Sequence, residues 1–329
     1  MKNYMKSKTL SVDRAVIEIN GGCNYSCSMC PQDARTGGRD KRFLKNMKID
    51  EFERIVAELS EHGLNVVNLE GSGEPTLNKK LPEYIKIVKK YGAKAYAFSN
   101  GYRMQGDFMK RCVDAGLDFF RFSIIGYDAE QYNKWMHNTV GGNYGIVLNN
   151  LKNMQEYVEE SGADTTVATY HLILDQEKID YEVEQYKKIV EWAGVKTEIW
   201  KMHNWSGIYK PTEDRKGKVK TCGRPFSPDL VIRAGGLDGK TGAVNPCCQV
   251  LGRDEEAVLG HFSDQTFEEI WYGKEYEQLR EDHTTGNYPD YCKGCDFLLD
   301  DPEVLVYSNH DRSLHKMVGT DFNLNDYRS

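Results

Sequence analysis

The chain has 329 residues, which suggests about two domains and provides ample material for a buried core. Its formal net charge of −7 argues against binding to nucleic-acid backbones as the main task. No apolar run approaches the roughly eighteen residues of a membrane span, and the first ten residues lack the apolar stretch of a secretory signal. Nine cysteines without an export signal predict a reducing, cytoplasmic location, where clustered cysteines usually bind metal or react.

Strand-like and helix-like segments alternate through the first two thirds of the chain. The predicted strands are residues 15–19, 65–69, 93–98, 119–125, 165–174 and 197–202. The predicted helices are residues 50–62, 81–90, 107–115, 129–135, 145–160 and 181–192. Six strand–helix repeats with short connections predict an α/β fold with a parallel sheet covered by helices. Periodicity alone leaves open whether that sheet is flat or curled.

The character of the sequence changes after about residue 205. Residues 204–219 are loop-like and rich in Lys, Gly and Pro, and short β-like pieces follow them. A helix is predicted at residues 266–281, before two more cysteines, whereas the polar tail has no clear period. We therefore divide the chain into a first domain at 1–205, a smaller second domain at 206–297 and a tail at 298–329.

The first group of cysteines lies directly after the first predicted strand. Cys23, Cys27 and Cys30 have the spacing C-x3-C-x2-C. Thiolates are the ligands that soft metal centres and iron–sulfur clusters select. Three ligands on a four-iron cluster leave one iron open, as in a reactive rather than a closed site. Zinc remains an alternative, whereas polar residues between the cysteines argue against simple core packing.

Two further motifs follow the second and third predicted strands. Gly71-Ser72-Gly73-Glu74-Pro75 contains glycines that allow close approach of a backbone to a ligand. A backbone carbonyl and the Glu74 carboxylate could accept hydrogen bonds from a ligand ammonium group. Ser99-Asn100-Gly101 ends the third strand, and the carboxyl ends of neighbouring parallel strands gather ligands. An ordinary turn is the alternative for each motif.

Together these motifs resemble those of the radical S-adenosylmethionine (SAM) superfamily. The run Gly71–Pro75, with Ser in its second place, resembles the GGEP element of that superfamily, and Ser99-Asn100-Gly101 resembles its TNG element. The resemblance implies a partial (β/α)6 barrel and a 4Fe–4S cluster whose open iron is chelated by SAM. It also implies that Gly73 and Glu74 hold the methionyl amine and that Met29 packs on the adenine. Asn100 and Ser123 match positions that contact the SAM carboxylate or ribose. An Arg common in relatives near His137 is absent, so the ribose contacts stay open.

The second domain contains Cys222, Cys247, Cys248, Cys292 and Cys295. Gly242 with Cys247 resembles the G-x4-C piece of SPASM and twitch domains, and Cys292 with Cys295 supplies C-x2-C. The resemblance implies one auxiliary 4Fe–4S cluster held by Cys222, Cys247, Cys292 and Cys295, with a zinc ribbon as the alternative. Cys248 is then the fifth cysteine, left over after the four ligands are assigned. It could replace Cys247 as a ligand, donate a hydrogen atom or proton beside the substrate cavity, or be an unreactive packing residue. Cys112 lies on an apolar helix face and is assigned to the core.

The resemblance implies an enzyme that reductively cleaves SAM to a 5′-deoxyadenosyl radical and abstracts a hydrogen atom from its substrate. With one auxiliary cluster, the chain is similar to the dehydrogenases and epimerases that act on sugars or aminocyclitols. Cys248 is then the candidate catalytic hydrogen donor. A SPASM-type peptide (RiPP) maturase is the first alternative, although the first strand begins too early to leave room for a leader-binding domain. A non-catalytic iron–sulfur or zinc protein is the alternative of another class.

The expected partners are a small-molecule or peptide substrate and an electron donor of the flavodoxin or ferredoxin type. Basic residues after the first cysteines could attract such a reductase or an anionic substrate. They are Arg35, Arg39, Lys41, Arg42, Lys45 and Lys48. Neither a membrane nor a nucleic acid is expected as a partner.

Overall fold

The computed structural model describes residues 10–31, 45–137, 143–208, 219–227, 229–235, 240–250, 257–299 and 305–310. Arg35, Arg39, Lys41 and Arg42 of the basic cluster lie outside these residues. The described strands form one ten-stranded sheet with the order β10-β6-β5-β4-β3-β2-β1-β7-β8-β9. They are β1 (Arg14–Ile17), β2 (Val66–Leu69), β3 (Lys94–Ser99), β4 (Phe119–Ser123), β5 (Thr166–Ile173), β6 (Lys196–Lys201), β7 (Asp229–Arg233), β8 (Ala243–Asn245), β9 (Gly260–His261) and β10 (Leu305–Ser308).

Strands β1 to β6 are parallel, and each pairs with the one before it in the chain. Strand–crossover–strand connections are right-handed, so a sheet wound in sequence order places its crossover helices on one face. Two separate clusters of buried side chains confirm two different faces. Ala97 and Phe120 belong to the large core that includes the helices, whereas Phe98 and Phe119 belong to a small cluster on the other face. The predicted α/β partial barrel is thus confirmed, as a sheet that remains open.

The described helices follow the strands as predicted. They are α1 (Ile49–Glu61), α2 (Leu81–Lys90), α3 (Gly106–Asp114), α4 (Ala129–Trp135), α5 (Asn143–Ser161), α6 (Ile179–Ala193), α7 (Phe267–Trp271) and α8 (Lys274–Thr285). Helix α1 shows why they form: Phe52, Ile55, Val56 and Leu59 recur at helical spacing and are all fully buried. Among the described helices, none combines the length and the apolar character needed to cross a membrane.

The second half of the chain differs from the prediction in two elements. The single helix predicted at 266–281 is two helices, because Gly273 is extended (φ −66°, ψ 158°) and begins α8. A Cβ at Gly273 would lie 2.8 Å from the Glu269 carbonyl oxygen, so only glycine fits this tight break. The tail, predicted without an element, contributes β10, which pairs antiparallel with β6.

The region assigned to a second domain continues the same sheet. Strand β7 pairs parallel with β1, with Arg14 opposite Asp229 and Ile17 opposite Ile232. Strands β8 and β9 then extend the sheet in antiparallel register. The segment that carries the later cysteines is therefore attached to the strand that leads into the first cysteine loop.

Candidate active site

The first cysteine loop starts after β1 and is fastened to the end of helix α4. The Ser26 amide donates to the His137 carbonyl (2.8 Å), and the Ser28 amide donates to the Trp135 carbonyl (2.8 Å). The Ser28 hydroxyl also lies 2.8 Å from Nε2 of His137. His137 thus holds the loop, a role that the sequence reasoning did not assign.

Within this loop the cysteines are brought together by a tight turn. The Cys30 amide donates to the Cys27 carbonyl at 3.0 Å, so these two residues lie in one turn. The Tyr25 amide lies 3.4 Å from the Cys23 sulfur. Cys23 and Cys27 are half-buried and pack against the main core, and Met29 is only 7% exposed in that core. Met29 thus packs in the main core, and its expected contact with adenine stays a prediction.

The loop Gly71–Pro75 lies against the chain that leads into Cys23. A Cβ at Gly73 would fall inside the carbonyl oxygen of Asn20, so the close approach requires glycine. The Glu74 amide donates to the Gly22 carbonyl at 2.7 Å, and Nδ2 of Asn20 donates to the Glu74 carbonyl at 2.7 Å. The glycine loop and the cysteine loop therefore form one hydrogen-bonded unit, at the end of the sheet where the order of the motifs predicted a site.

The Glu74 carboxylate accepts four hydrogen bonds from the loops after β2 and β3. Its Oε1 accepts from the Thr76 amide (2.9 Å), the Thr76 hydroxyl (2.5 Å) and the Ser99 hydroxyl (2.6 Å), and its Oε2 accepts from the Asn100 amide (2.8 Å). The side chain is 3% exposed. Burial raises the pKa of Glu74, although these hydrogen bonds act to lower it. The Glu74 carboxylate therefore joins the loops after β2 and β3, and the expected contact of Gly73 and Glu74 with the methionyl amine of SAM stays a prediction.

Asn100 and Ser123 lie at the carboxyl ends of β3 and β4. Nδ2 of Asn100 donates to Oδ1 of Asn24 (2.9 Å), inside the cysteine loop. Ser123 is half-buried and lies opposite Tyr170 of β5 in the sheet. Both residues are thus at the predicted end of the barrel, and their contacts with SAM stay a prediction.

Three of the later cysteines lie in a buried region within electrostatic range of one another, and two of them also of Arg224. Burial raises the pKa of Cys247 to about 12, and the charge of neighbouring Cys248 acts in the same direction. Burial also raises the pKa of Cys222, and that of Cys295 well above its usual value. The charges of Cys222 and Cys247 both act on Cys295 and on Arg224, which indicates that these thiols are neighbours. Buried thiols of this kind ionise readily only beside a positive centre such as a metal.

The junction loop after β6 organises the C-x2-C turn. The Cys295 amide donates to the Cys292 carbonyl at 3.1 Å, which repeats the turn found between Cys27 and Cys30. Asn204 donates from its amide to Asp296 Oδ2 (3.0 Å) and from Nδ2 to the Gly294 carbonyl (2.6 Å). The loop after β6 thus fixes the position of this cysteine turn.

A polar group lies on the sheet face opposite the helices. The Arg121 guanidinium is 3.7 Å from the centre of the Phe98 ring and 4.4 Å from that of the Tyr170 ring. Its Nη1 is 3.4 Å from Oε2 of Glu198. Burial raises the pKa of the Tyr170 phenol, and the charge of Cys248 contributes to that rise. Cys248 is thus close enough for its charge to act on Tyr170. We call Phe98, Arg121, Tyr170 and Glu198 the inner polar cluster.

Helix α4 and the loop after β5 enclose a cavity of about 460 Å³. Its walls include Tyr127, Lys134 and Trp135 on one side and Asp175 and Lys178 on the other. Trp135 lines this cavity, and its carbonyl accepts from the Ser28 amide of the cysteine loop.

The cysteines have the ligand type that an iron–sulfur cluster requires, but their side chains are not arranged as a preformed binding site in the described residues. Within the part of the chain that the structure describes, no three or more His, Cys, Asp or Glu side chains are arranged to hold a metal ion. The donor set nevertheless consists of thiols, and two tight C-x2-C turns each bring a pair of cysteines together. Cys112 differs from them: it is fully buried and burial raises its pKa to about 12, in agreement with its assignment to the core.

Comparison with known proteins agrees with these motifs. The model of the radical SAM superfamily matches residues 17–183, just over half of the chain, and that of the SPASM iron–sulfur cluster-binding domain matches residues 239–296. A probable GTP 3′,8-cyclase of Methanococcus maripaludis is 31% identical over 136 residues, which are 41% of this chain and 43% of that protein. The chain thus spans less than half the length of that relative.

Solved structures share the fold over most of the chain. BtrN in complex with AdoMet and 2-DOIA has a TM-score of 0.58 at 16% identity, covering 90% of this chain and 98% of that chain. Streptococcus suis SuiB bound to precursor peptide SuiA has a TM-score of 0.64 at 12% identity, covering 82% of this chain and 67% of that chain. The chain therefore belongs to the radical SAM superfamily, whose members are enzymes that use a 4Fe–4S cluster and SAM, and it carries a SPASM iron–sulfur domain.

Proposed function

We propose that this enzyme oxidises or epimerises a small polyhydroxylated molecule of the sugar or aminocyclitol type. When bound, the cluster and SAM supply a 5′-deoxyadenosyl radical that removes a hydrogen atom from the substrate. The observation that supports this substrate class is the inner polar cluster, in which the Arg121 guanidinium lies over the Phe98 and Tyr170 rings and Tyr170 is within electrostatic range of Cys248. Substrates with many hydroxyl groups are held by a few convergent polar groups among aromatic side chains.

The polar side chains of this space are partly accessible. Glu70, Arg121, Tyr170 and Trp200 are half-buried, on neighbouring strands or just beyond them. Glu70 receives a single long hydrogen bond from Nδ2 of Asn68 (3.4 Å) among the bonds described, which leaves acceptor capacity for a hydroxyl or ammonium group. Burial raises the pKa of Glu70, while the positive charge of Arg121 opposes that rise.

We assign the cluster ligands as predicted: Cys23, Cys27 and Cys30 for the SAM-binding 4Fe–4S cluster, and one further set for a single auxiliary cluster. That set is Cys222, Cys247, Cys292 and Cys295. Cys248 then remains available at the substrate. In epimerisation, Cys248 would return a hydrogen atom to the opposite face of the substrate carbon, and the electron donor with a solvent proton would reduce the resulting thiyl radical. In oxidation, the substrate radical would lose a proton to solvent and its second electron to the auxiliary cluster. An electron donor of the flavodoxin or ferredoxin type completes the proposal.

The experiment uses protein reconstituted without oxygen and supplied with dithionite, SAM and a panel of amino sugars, cyclitols and aminocyclitols. A true substrate increases the formation of 5′-deoxyadenosine and methionine. Product that loses two mass units identifies oxidation, whereas deuterium taken from D2O without a change of oxidation state identifies epimerisation. Cys248→Ala abolishes the deuterium uptake if Cys248 is the donor, and Cys112→Ala serves as the matched control. Retained deuterium uptake in Cys248→Ala would exclude the donor role.

Maturation of a ribosomal peptide is the second candidate. It is favoured by the likeness to SuiB, a structure bound to its precursor peptide. We place the small-molecule substrate first because of the inner polar cluster and the likeness to BtrN, a structure in complex with 2-DOIA. A mass change in a short peptide encoded beside this enzyme, combined with no response to the small-molecule panel, would reverse that order.

A further inference from the structure

Glu18 is a buried carboxylate at the carboxyl end of β1, five residues before Cys23. It is 1% exposed, and its Oε2 accepts from both the amide (2.6 Å) and the hydroxyl (2.7 Å) of Ser72. Ser72 occupies the second place of the glycine loop, where the family element has glycine. This departure from the motif therefore has a local reason: the added hydroxyl is a second donor to Glu18.

The first glycine of the loop also depends on Glu18. A Cβ at Gly71 would lie 2.6 Å from both Cβ and Cγ of the Glu18 side chain. These distances are too short for van der Waals contact, so Gly71 makes room for the carboxylate. The Glu18 side chain thus supports the glycine loop on one side, while Gly73 contacts the chain before Cys23 on the other.

Glu18 is held from the opposite direction by β7. Nη1 of Arg233 lies 3.5 Å from Glu18 Oε2, and the two side chains are 3% and 1% exposed. The Ala234 amide donates to Glu18 Oε1 at 3.3 Å, and the Glu18 amide donates to the Ile232 carbonyl at 2.9 Å. Arg233 and Ala234 end the strand that leads towards β8 and Cys247.

A buried pair of this kind is sensitive to the loss of either partner, because the remaining charge has no water to solvate it. Its geometry is also restricted, since the same oxygen of Glu18 faces Ser72 and Arg233. A displacement of β7 therefore changes the position of the atom to which the glycine loop is bonded.

We propose that Glu18 is a positioning residue that couples β7, and with it the segment leading to the auxiliary cysteines, to the SAM-binding loop through Ser72 and Arg233. This inference rests on the assignment of SAM to that loop and does not depend on the substrate. Coupling free energies between two sites in proteins commonly change an affinity by about 5- to 150-fold. Removal of Arg233 should weaken SAM binding by a factor within that range.

The test measures SAM affinity by equilibrium dialysis on the reconstituted, unreduced enzyme, where no turnover occurs. We expect Arg233→Met to raise the dissociation constant by about tenfold and Arg233→Lys to restore most of the affinity. The matched control is Arg280→Met, since Arg280 is another buried arginine of the C-terminal half, bonded to the Pro225 and Trp271 carbonyls. Arg280→Met should lower the melting temperature without changing the dissociation constant beyond about twofold.

A double-mutant cycle tests the route through Glu18, and Ser72→Ala probes it from the other end if Arg233→Met folds poorly. Because both partners act on one oxygen, the effects of Ser72→Ala and Arg233→Met should combine to less than the product of the single effects. Effects that multiply, or equal losses of affinity in Arg233→Met and Arg280→Met, would overturn the coupling. A wild-type enzyme that binds no SAM overturns the cofactor site as well, whereas failure to find a substrate affects only the proposed function.

Discussion

Replacing Gly73 with alanine tests the contact between the glycine loop and the cysteine loop. The new Cβ would fall inside the Asn20 carbonyl oxygen and 2.7 Å from the carbonyl carbons of Asn20 and Gly21. Non-bonded carbon atoms rest about 3.5–4.0 Å apart, so one loop must move by on the order of 1 Å. The neighbouring atoms belong to the main chain and cannot rotate away. The displacement therefore changes the path of the chain just before Cys23.

The expected cost combines two terms. Forcing a methyl group into a packed region costs about 1–3 kcal/mol. The movement also strains two hydrogen bonds between the loops, from the Glu74 amide to Gly22 and from Asn20 to the Glu74 carbonyl, each worth about 0.5–1.5 kcal/mol. The sum is on the order of 2–6 kcal/mol. If about 1.4 kcal/mol of it falls on the SAM complex, the affinity for SAM decreases tenfold.

The assay compares the melting temperature, the iron content and the SAM affinity of Gly73→Ala and Gly145→Ala under anaerobic conditions. Gly145 lies in α5, and a Cβ there would meet nothing within 4 Å. Gly145→Ala should therefore be neutral or stabilise the chain by up to about 1 kcal/mol. The reasoning is refuted if Gly73→Ala matches this control in all three measurements.

Three further predictions follow from buried groups of the barrel. Ser99→Ala removes a donor from the buried Glu74 carboxylate and should destabilise the folded state by about 1–3 kcal/mol; an unchanged melting temperature would contradict this. Burial lowers the pKa of His171, so the unfolded chain takes up the proton first as the pH falls. When the pH falls from about 7.5 to about 5.5, the melting temperature of the wild type should thus decrease more than that of His171→Phe. Equal decreases would refute the lowered pKa of His171. Cys112→Ala should retain all iron, whereas Cys23→Ala should lose the iron of one cluster; loss of iron in both would contradict the core role of Cys112.

Local signals in the sequence predicted most of the barrel. Helices α2 and α4 begin and end where the apolar spacing placed them, because a buried stripe must follow the helical period. The order of the cysteine and glycine loops was also predictable, since parallel strands carry their following loops at one end of the sheet. The break at Gly273 was missed because a single glycine within a helical pattern is compatible with an uninterrupted helix.

Contacts between distant segments could not be predicted in this way. The role of Glu74 as an acceptor for Ser99 and Asn100 depends on how two loops meet, which no single motif contains. The same holds for Glu18 and Arg233, which are more than two hundred positions apart in the chain. A carboxylate in a motif looks the same whether it receives a ligand or the protein's own amides.

Strand β10 has a practical consequence for work with this enzyme. Without residues 305–310, β6 would present a row of unsatisfied backbone donors and acceptors at the rim of the sheet, which is a template for association between molecules. Asn309 adds two hydrogen bonds next to the pairing of β10 with β6: its Oδ1 accepts from the Thr197 amide (2.8 Å), and its Nδ2 donates to the Val195 carbonyl (3.2 Å). Shortened versions that stop before residue 305 should consequently aggregate, and affinity tags are better placed at the amino terminus.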